Sequence, residues 1–167
     1  MPNTNDNLQA AFAGESQASR KYLFFSEKAE ADGQPQIAKL FRAASEAETV
    51  HARNHLNALN GIGSAADNLK ASIEGEHYEF TDMYPEFIGQ ADKEQNSKAT
   101  QSFNWANKVE QIHHGLYQQS LKDLETGIKK EAGPFYVCQR CGNTVEGEAP
   151  DKCQVCGAPR TMFKRID

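Results

Sequence analysis

Cysteine is missing from the first 137 residues of this 167-residue chain. All four cysteines fall in the last thirty positions as two C-x-x-C pairs, a pattern that in a reducing compartment indicates metal rather than disulfide. Basic charge is also scarce. Eighteen Lys and Arg against 23 Asp and Glu give a formal net charge of -5 and a pI near 5.6. Nucleic-acid and anionic-membrane binding need clustered Lys and Arg, so both are excluded as partners. No apolar run approaches the length of a bilayer-spanning helix, and the opening MPNTNDNLQ has neither the basic nor the apolar part of a signal peptide. The expectation is a cytoplasmic protein. With 38% hydrophobic residues the chain can bury one ordinary core and a small appendix.

What is present begins with four long helical patterns. The first runs from about Asn5 to Ala31 and stops at DGQP; the second starts near Pro35, a favourable first-turn residue, and ends at NGIG. The third is expected from Asp67 or Asn68 to Lys93, kinked at Pro85, and the fourth from Ser97 to Glu131. Gly133 and Pro134 close the helical part. From Phe135 to Asp167 the chain is rich in Gly, Pro and Cys and has no 3.6-residue period. This predicts two domains, 1–132 and 133–167.

The helical part repeats itself. Glu48 and His51 form an E-x-x-H in helix two; Glu110 and His113 form another in helix four, 62 positions later. Gly14-Glu15 and Gly75-Glu76 match at an offset of 61, and Leu8/Leu69, Phe41/Phe103, Ala44/Ala106 and Leu59/Leu121 pair at these offsets. One half carries an additional acid, Glu79, where the other has Ala18.

Residues three apart on a helix point the same way, so each E-x-x-H offers a carboxylate and an imidazole to one spot. Two such motifs, with one Glu from each remaining helix, are the donor set of the two-metal site in ferritin-like bundles. Phe12, Leu40, Phe41, Ile73 and Leu116, at helical spacing around the acids, predict that these carboxylates face inward. Inward carboxylates without cations are costly. Oxygen-rich ligands with two imidazoles suit iron or manganese better than a structural zinc. Tyr22 and Tyr117, each seven residues after a ligand glutamate, share the metal face, and Tyr84 follows Glu79 by five; Tyr22 and Tyr84 are candidates to donate hydrogen bonds or protons there. His55, His77 and His114 read as ordinary hydrogen-bonded or surface histidines.

In the C-terminal segment eleven residues separate Cys141 from Cys153. Cys138, Cys141, Cys153 and Cys156 can close a tetrahedral tetrathiolate, with Gly142 and Gly157 free to turn backbone N–H groups toward sulfur. So short a segment needs metal to hold it together. A structural zinc ribbon uses the same ligands.

The chain as a whole resembles rubrerythrin, a ferritin-like di-iron bundle fused to a rubredoxin-like Fe(Cys)4 domain, through AFAGESQASRKY, AKLFRAASEAETVHARNHL, GEHYEFTDMYPEF, EQIHHGLY and the cysteine loops with CGAP. The resemblance implies two non-haem irons in the bundle and one in the tetra-cysteine site. It implies that Glu48 and Glu110 bridge the irons, that Glu15 and Glu76 are terminal ligands on opposite irons, and that His113 joins the iron of Glu76. It further implies that Glu79 and His51 are alternative ligands to one iron, carboxylate when oxidised and imidazole when reduced. A diferric centre favours the anionic ligand and a diferrous one the neutral imidazole. The implied activity is reduction of hydrogen peroxide to water, with electrons relayed through the rubredoxin-like iron from an external rubredoxin or an NAD(P)H-dependent reductase. A ferroxidase or iron-handling protein is the alternative, and an inert, zinc-bearing binding module a third.

Between Glu48 and Glu76 there are fewer residues than the resemblance leads one to expect. The connection GIGSAAD is too short to return along the bundle between parallel helices two and three. A homodimer is therefore expected, swapped so that helices one and two of one chain complete the site with helices three and four of the other.

Overall fold

Two capping boxes 61 positions apart open the two halves of the protein. Asn3 accepts from the Asp6 N–H while the Asp6 carboxylate takes the Asn3 N–H; Ser64 and Asp67 repeat the arrangement. Each box satisfies backbone donors that the first helical turn leaves unpaired. The computed structural model describes residues 3–167. Helix α1 spans Thr4–Ala31, α2 Pro35–Ala58, α3 Ala65–Tyr78, α4 Tyr84–Lys93 and α5 Ser97–Glu125. Five π-helical residues, Glu79–Met83, join α3 to α4, so the helices form four rods with the third interrupted.

The sequence expectations for the third and fourth rods need correction. The fourth rod ends at Glu125 and not at Glu131, because Gly127 takes a φ of +70° and the Ile128 N–H turns back to the Asp123 carbonyl at 2.9 Å. That is a glycine-dependent helix stop. The third rod begins at Ala65, ahead of Asp67, since Ser64 supplies the cap. Its irregularity is also more specific than a kink at Pro85. The Tyr84 N–H bonds to the Glu79 carbonyl, five residues back, and Pro85 follows with no N–H to offer the preceding turn.

The π turn explains an offset visible in the repeat. Before it the halves match at 61 (Asn3/Ser64, Glu15/Glu76); after it they match at 62 (Tyr22/Tyr84, Phe25/Phe87, Glu48/Glu110). A hydrogen bond spanning one more residue absorbs one more residue without breaking the rod, and the turn that does so begins at Glu79.

The chain divides into two compact units, one ending at Gly63 and one running from Ser64 to Asp167. In the first, α1 and α2 pair along a seam of small residues: Ser19, Ser26, Ala29, Ala38, Ser45 and Ala52 are buried. Ser45 donates to the Ser19 carbonyl at 2.9 Å, and the Ser19 hydroxyl lies 3.0 Å from that of Thr49. These bonds fix the register one turn away from Glu15 and Glu48. Leu40, expected to face inward, is 66% exposed within one chain, because a two-helix layer has a single seam and small residues occupy it. In the second unit α3, the π turn and α4 pack along α5.

The same unit carries a three-stranded antiparallel sheet in the order β2-β1-β3, with β1 at Phe135–Cys138, β2 at Thr144–Glu146 and β3 at Phe163–Ile166. Its core is small: Cys138, Cys153 and Ala158, with Met162 and Phe163 against them. No helix among the described residues is long and apolar enough to cross a membrane.

Candidate metal centres

Each unit brings one E-x-x-H and one further glutamate together. In the first unit donor atoms of Glu15, Glu48 and His51 lie within 4.8 Å of one another, and in the second those of Glu76, Glu110 and His113 do the same. The geometry repeats closely. His51 Nδ1 is 2.8 Å from Glu48 Oε2, and His113 Nδ1 is 2.7 Å from Glu110 Oε2. A three-residue spacing on α2 and on α5 suffices to aim both groups at one point.

Electrostatics mark the second cluster as short of positive charge. Burial, then the hydrogen bond and charge of Glu110, push the Glu76 carboxyl up to about 7. Burial and the Glu110 charge also raise Glu79. Burial pushes Glu110 upward as well, but hydrogen bonds from His113 and Glu76 outweigh it and hold Glu110 below its ordinary value. The His113 imidazole is raised, chiefly by its hydrogen bond to Glu110. Carboxylates this crowded, with imidazole nitrogens turned among them, fit a divalent or trivalent cation that lets all of them ionise. Glu79 stands outside the tight three-residue cluster, at the first residue of the π turn.

A tyrosine accompanies each half. Tyr22, Phe25 and Phe41 form an aromatic triad with centroids 5.5–6.3 Å apart, and Tyr84, Phe87 and Phe103 form its counterpart at 5.6–6.3 Å. Burial and the charges of Glu79, Glu110 and Glu76 raise the Tyr84 phenol, which keeps it protonated beside the acids. Tyr117 is raised in the same way by burial, Glu76 and Glu110. His77 and His114 instead pack with Phe80, with centroids 5.2–5.6 Å apart.

The four cysteines converge in two knuckles. Cys138 and Cys156 sulfurs are 3.7 Å apart and those of Cys141 and Cys153 3.6 Å. Those spacings are far beyond a disulfide and close to the edge of about 3.8 Å of a tetrahedron with metal–sulfur bonds of about 2.3 Å. In each knuckle the glycine after the second cysteine has a positive φ, +84° at Gly142 and +72° at Gly157, and donates back to Cys138 or Cys153. Burial acts upward on Cys153, but N–H groups of Cys156 and Val155 bring it down to about 7, whereas burial raises Cys141 and Cys156.

Two neighbours of these centres have no signature in the sequence. Asn143 is fully buried; its Nδ2 donates to Cys153 Sγ at 3.6 Å while its Oδ1 has no partner. Thr144 Oγ1 lies 2.9 Å from His113 Nε2. Neither is a thiolate, imidazole or carboxylate, so no spacing pattern of such ligands could have pointed to them.

Comparison with known proteins agrees with this inventory. The family described as Rubrerythrin matches residues 6–121, and the rubrerythrin rubredoxin-like domain matches residues 136–164. Rubrerythrin-2 of Clostridium acetobutylicum is 32% identical over 96% of this chain and 95% of its own length. Rubrerythrin of Porphyromonas gingivalis is 34% identical over 96% and 88%, and nigerythrin of Nitratidesulfovibrio vulgaris 34% over 96% and 85%. Among solved structures, nigerythrin in its fully reduced, all-ferrous state covers 99% of this chain and 88% of its own at 33% identity, with a TM-score of 0.59. The Glu/His groups and the four-cysteine cluster are consistent with a di-iron site and a rubredoxin-like iron site.

Proposed function

The chain belongs to the rubrerythrin family, and from that premise we propose that it is a cytoplasmic non-haem di-iron peroxide reductase built from a ferritin-like domain, 1–132, and a rubredoxin-like domain, 133–167. One observation carries the reading. The first cysteine knuckle rests on the metal-bearing helix: a side-chain carbon on Gly142 would sit 3.7 Å from Val109, the residue before Glu110. An electron-transfer centre seated against a ligand helix serves a reductase and has no use in iron storage.

Glu15, Glu48, His51, Glu76, Glu79, Glu110 and His113 would hold the iron pair, Glu48 and Glu110 serving both ions and Glu79 and His51 serving as alternative ligands in the oxidised and reduced states. When bound, the pair would supply the two electrons that, with two protons, convert hydrogen peroxide to two waters, and Cys138, Cys141, Cys153 and Cys156 would hold the iron through which an external rubredoxin or NAD(P)H-dependent reductase replaces them singly. The protein's own part is to bind, orient and protonate. Tyr84, kept neutral by burial and by its acidic neighbours, is the proton-bearing group beside Glu79, and Tyr22 is its counterpart in the other half. The π turn presents Glu79 at a point where the ladder is already loosened, which lets the carboxylate move without breaking a regular helix.

A second copy of the chain completes each site. Glu48 lies ten residues before the end of α2, and Glu76 eleven residues after the start of α3. At 1.5 Å per residue, bringing both to one level in parallel helices requires a return of about 31 Å. The connection from Ala58 to Ala65 reaches at most about 25 Å. Swapping α1 and α2 between two copies removes the deficit. The same swap gives a partner to apolar residues left exposed in each unit, among them Phe25 at 48% and Leu40 at 66% in the first and Phe87 at 41% in the second.

Glu79→Ala tests the reading. It is expected to slow peroxide turnover while leaving the Fe(Cys)4 absorption intact. Unchanged turnover, or retention of a ferric mineral in place of peroxide consumption, favours an iron-handling role instead.

A further inference from the structure

The two E-x-x-H imidazoles have different surroundings. His51, with a side chain 53% exposed, has Glu48 as its one hydrogen-bond partner among the described residues. His113, at 27%, is held from both ends: Nδ1 faces Glu110 and Glu76, and Nε2 meets Thr144 Oγ1. The Thr144 hydroxyl in turn donates to the Gly142 carbonyl at 3.1 Å.

A hydroxyl has one proton. Because the Gly142 carbonyl can only accept, that proton is committed to it, and Thr144 Oγ1 is left to accept from His113. Nε2 therefore carries hydrogen in any arrangement that makes both contacts, and Nδ1, the nitrogen that faces Glu110 and Glu76, is the one left for a metal. Thr144 stands at the first position of β2, two residues past the glycine that shapes the Cys138–Cys141 knuckle. That knuckle is itself packed on α5 at Val109. A rigid thiolate loop thus fixes the tautomer and ring orientation of an imidazole on a different element.

We infer that Thr144 is a positioning residue whose hydroxyl fixes the ring and tautomer of His113 as a metal ligand, a support with no counterpart at His51 among the described residues. The inference rests on His113 being a ligand, as the proposed function has it. A hydrogen-bond partner on the far nitrogen of a metal-bound histidine is worth roughly 10–100-fold in metal affinity.

The experiment uses the full-length protein and two readouts besides turnover: Co2+ affinity of the Glu/His centre, and the His113 Nε2–H proton resonance in the Zn2+-loaded protein. Thr144→Val is expected to weaken Co2+ binding by roughly 10–100-fold and to abolish the protected proton signal, with the tetrathiolate spectrum unchanged. Thr144→Ser is expected to restore both. Unaltered affinity and an unaltered proton signal in Thr144→Val overturn the inference, as does a loss that serine fails to rescue, because packing and not the hydroxyl is then responsible. His113→Ala separates the two levels. If it too leaves Co2+ affinity intact, the ligand assignment is wrong; if it weakens binding while Thr144→Val does not, the role of Thr144 alone is wrong.

Discussion

Glu48→Ala and Glu110→Ala each remove a carboxylate from the three-residue cluster of one unit, Glu48 from the unit ending at Gly63 and Glu110 from the unit starting at Ser64. Either variant alone spoils every site it builds, whether or not the chains swap. The mixture separates the cases. In a swapped dimer of one variant with the other, one site receives both defects and the second receives the intact α1/α2 pair of the Glu110→Ala chain with the intact α3–α5 of the Glu48→Ala chain. Random pairing makes about half of the dimers mixed, and half of their sites whole, so about a quarter of the wild-type number of complete sites should appear. Two differently tagged chains, co-expressed and purified in sequence, isolate the mixed species and raise this to about half. Iron per tetrathiolate and peroxide turnover are the readouts. Recovery no greater than in either parent refutes the swap and requires a unit arrangement that spans about 31 Å with a connection of about 25 Å.

Asn143→Leu removes an N–H···S hydrogen bond from Cys153 and is expected to lower the reduction potential of the Fe(Cys)4 site, since such bonds stabilise the more electron-rich ferrous state; voltammetry showing no shift counts against a tuning role. Metal binding should be linked to pH. Glu76, held up to about 7 by burial and Glu110, and His113, raised by its hydrogen bond to Glu110, both give up protons to a bound divalent ion, so loading is expected to release more protons at pH 6 than at pH 8; calorimetry in buffers of different ionisation enthalpy reads the number. The same raised value works on the metal-free fold. Its contribution is complete below the ordinary carboxylate range and is lost as pH rises through about 7, with the raised His113 acting in the same direction. Thermal stability of the metal-free protein should therefore fall between pH 5 and 8, and a flat or rising profile contradicts the charge balance assigned to the cluster.

Much of this was legible in the residues, because ligand chemistry constrains spacing. E-x-x-H on a helix and C-x-x-C-G in a knuckle each force particular side chains to one point, and the structure brings those chains together. The register of the repeat is legible too, and its change from 61 to 62 marks the π turn that begins at Glu79, although an offset by itself does not say where along the rod the extra residue is absorbed. Gly127 likewise announced the end of α5, and the expectation of Glu131 overlooked it. Leu40 is a different case. Periodicity says which residues share a face, and it cannot say whether that face is covered within one chain or by a second. Thr144 and Asn143 were out of reach, since each acts through a hydrogen bond to a residue at least ten positions away and neither belongs to a spaced motif.

The central claim is that the bundle reduces peroxide and is resupplied through the cysteine site. Anaerobic reduction of the iron-loaded protein, then one equivalent of hydrogen peroxide followed by stopped-flow absorbance, tests it most directly. The account predicts fast oxidation in the bundle, followed by return of the ferric tetrathiolate colour as electrons leave that site. Oxidation no faster than that of free ferrous iron, or a tetrathiolate that stays reduced while the bundle is oxidised, contradicts it.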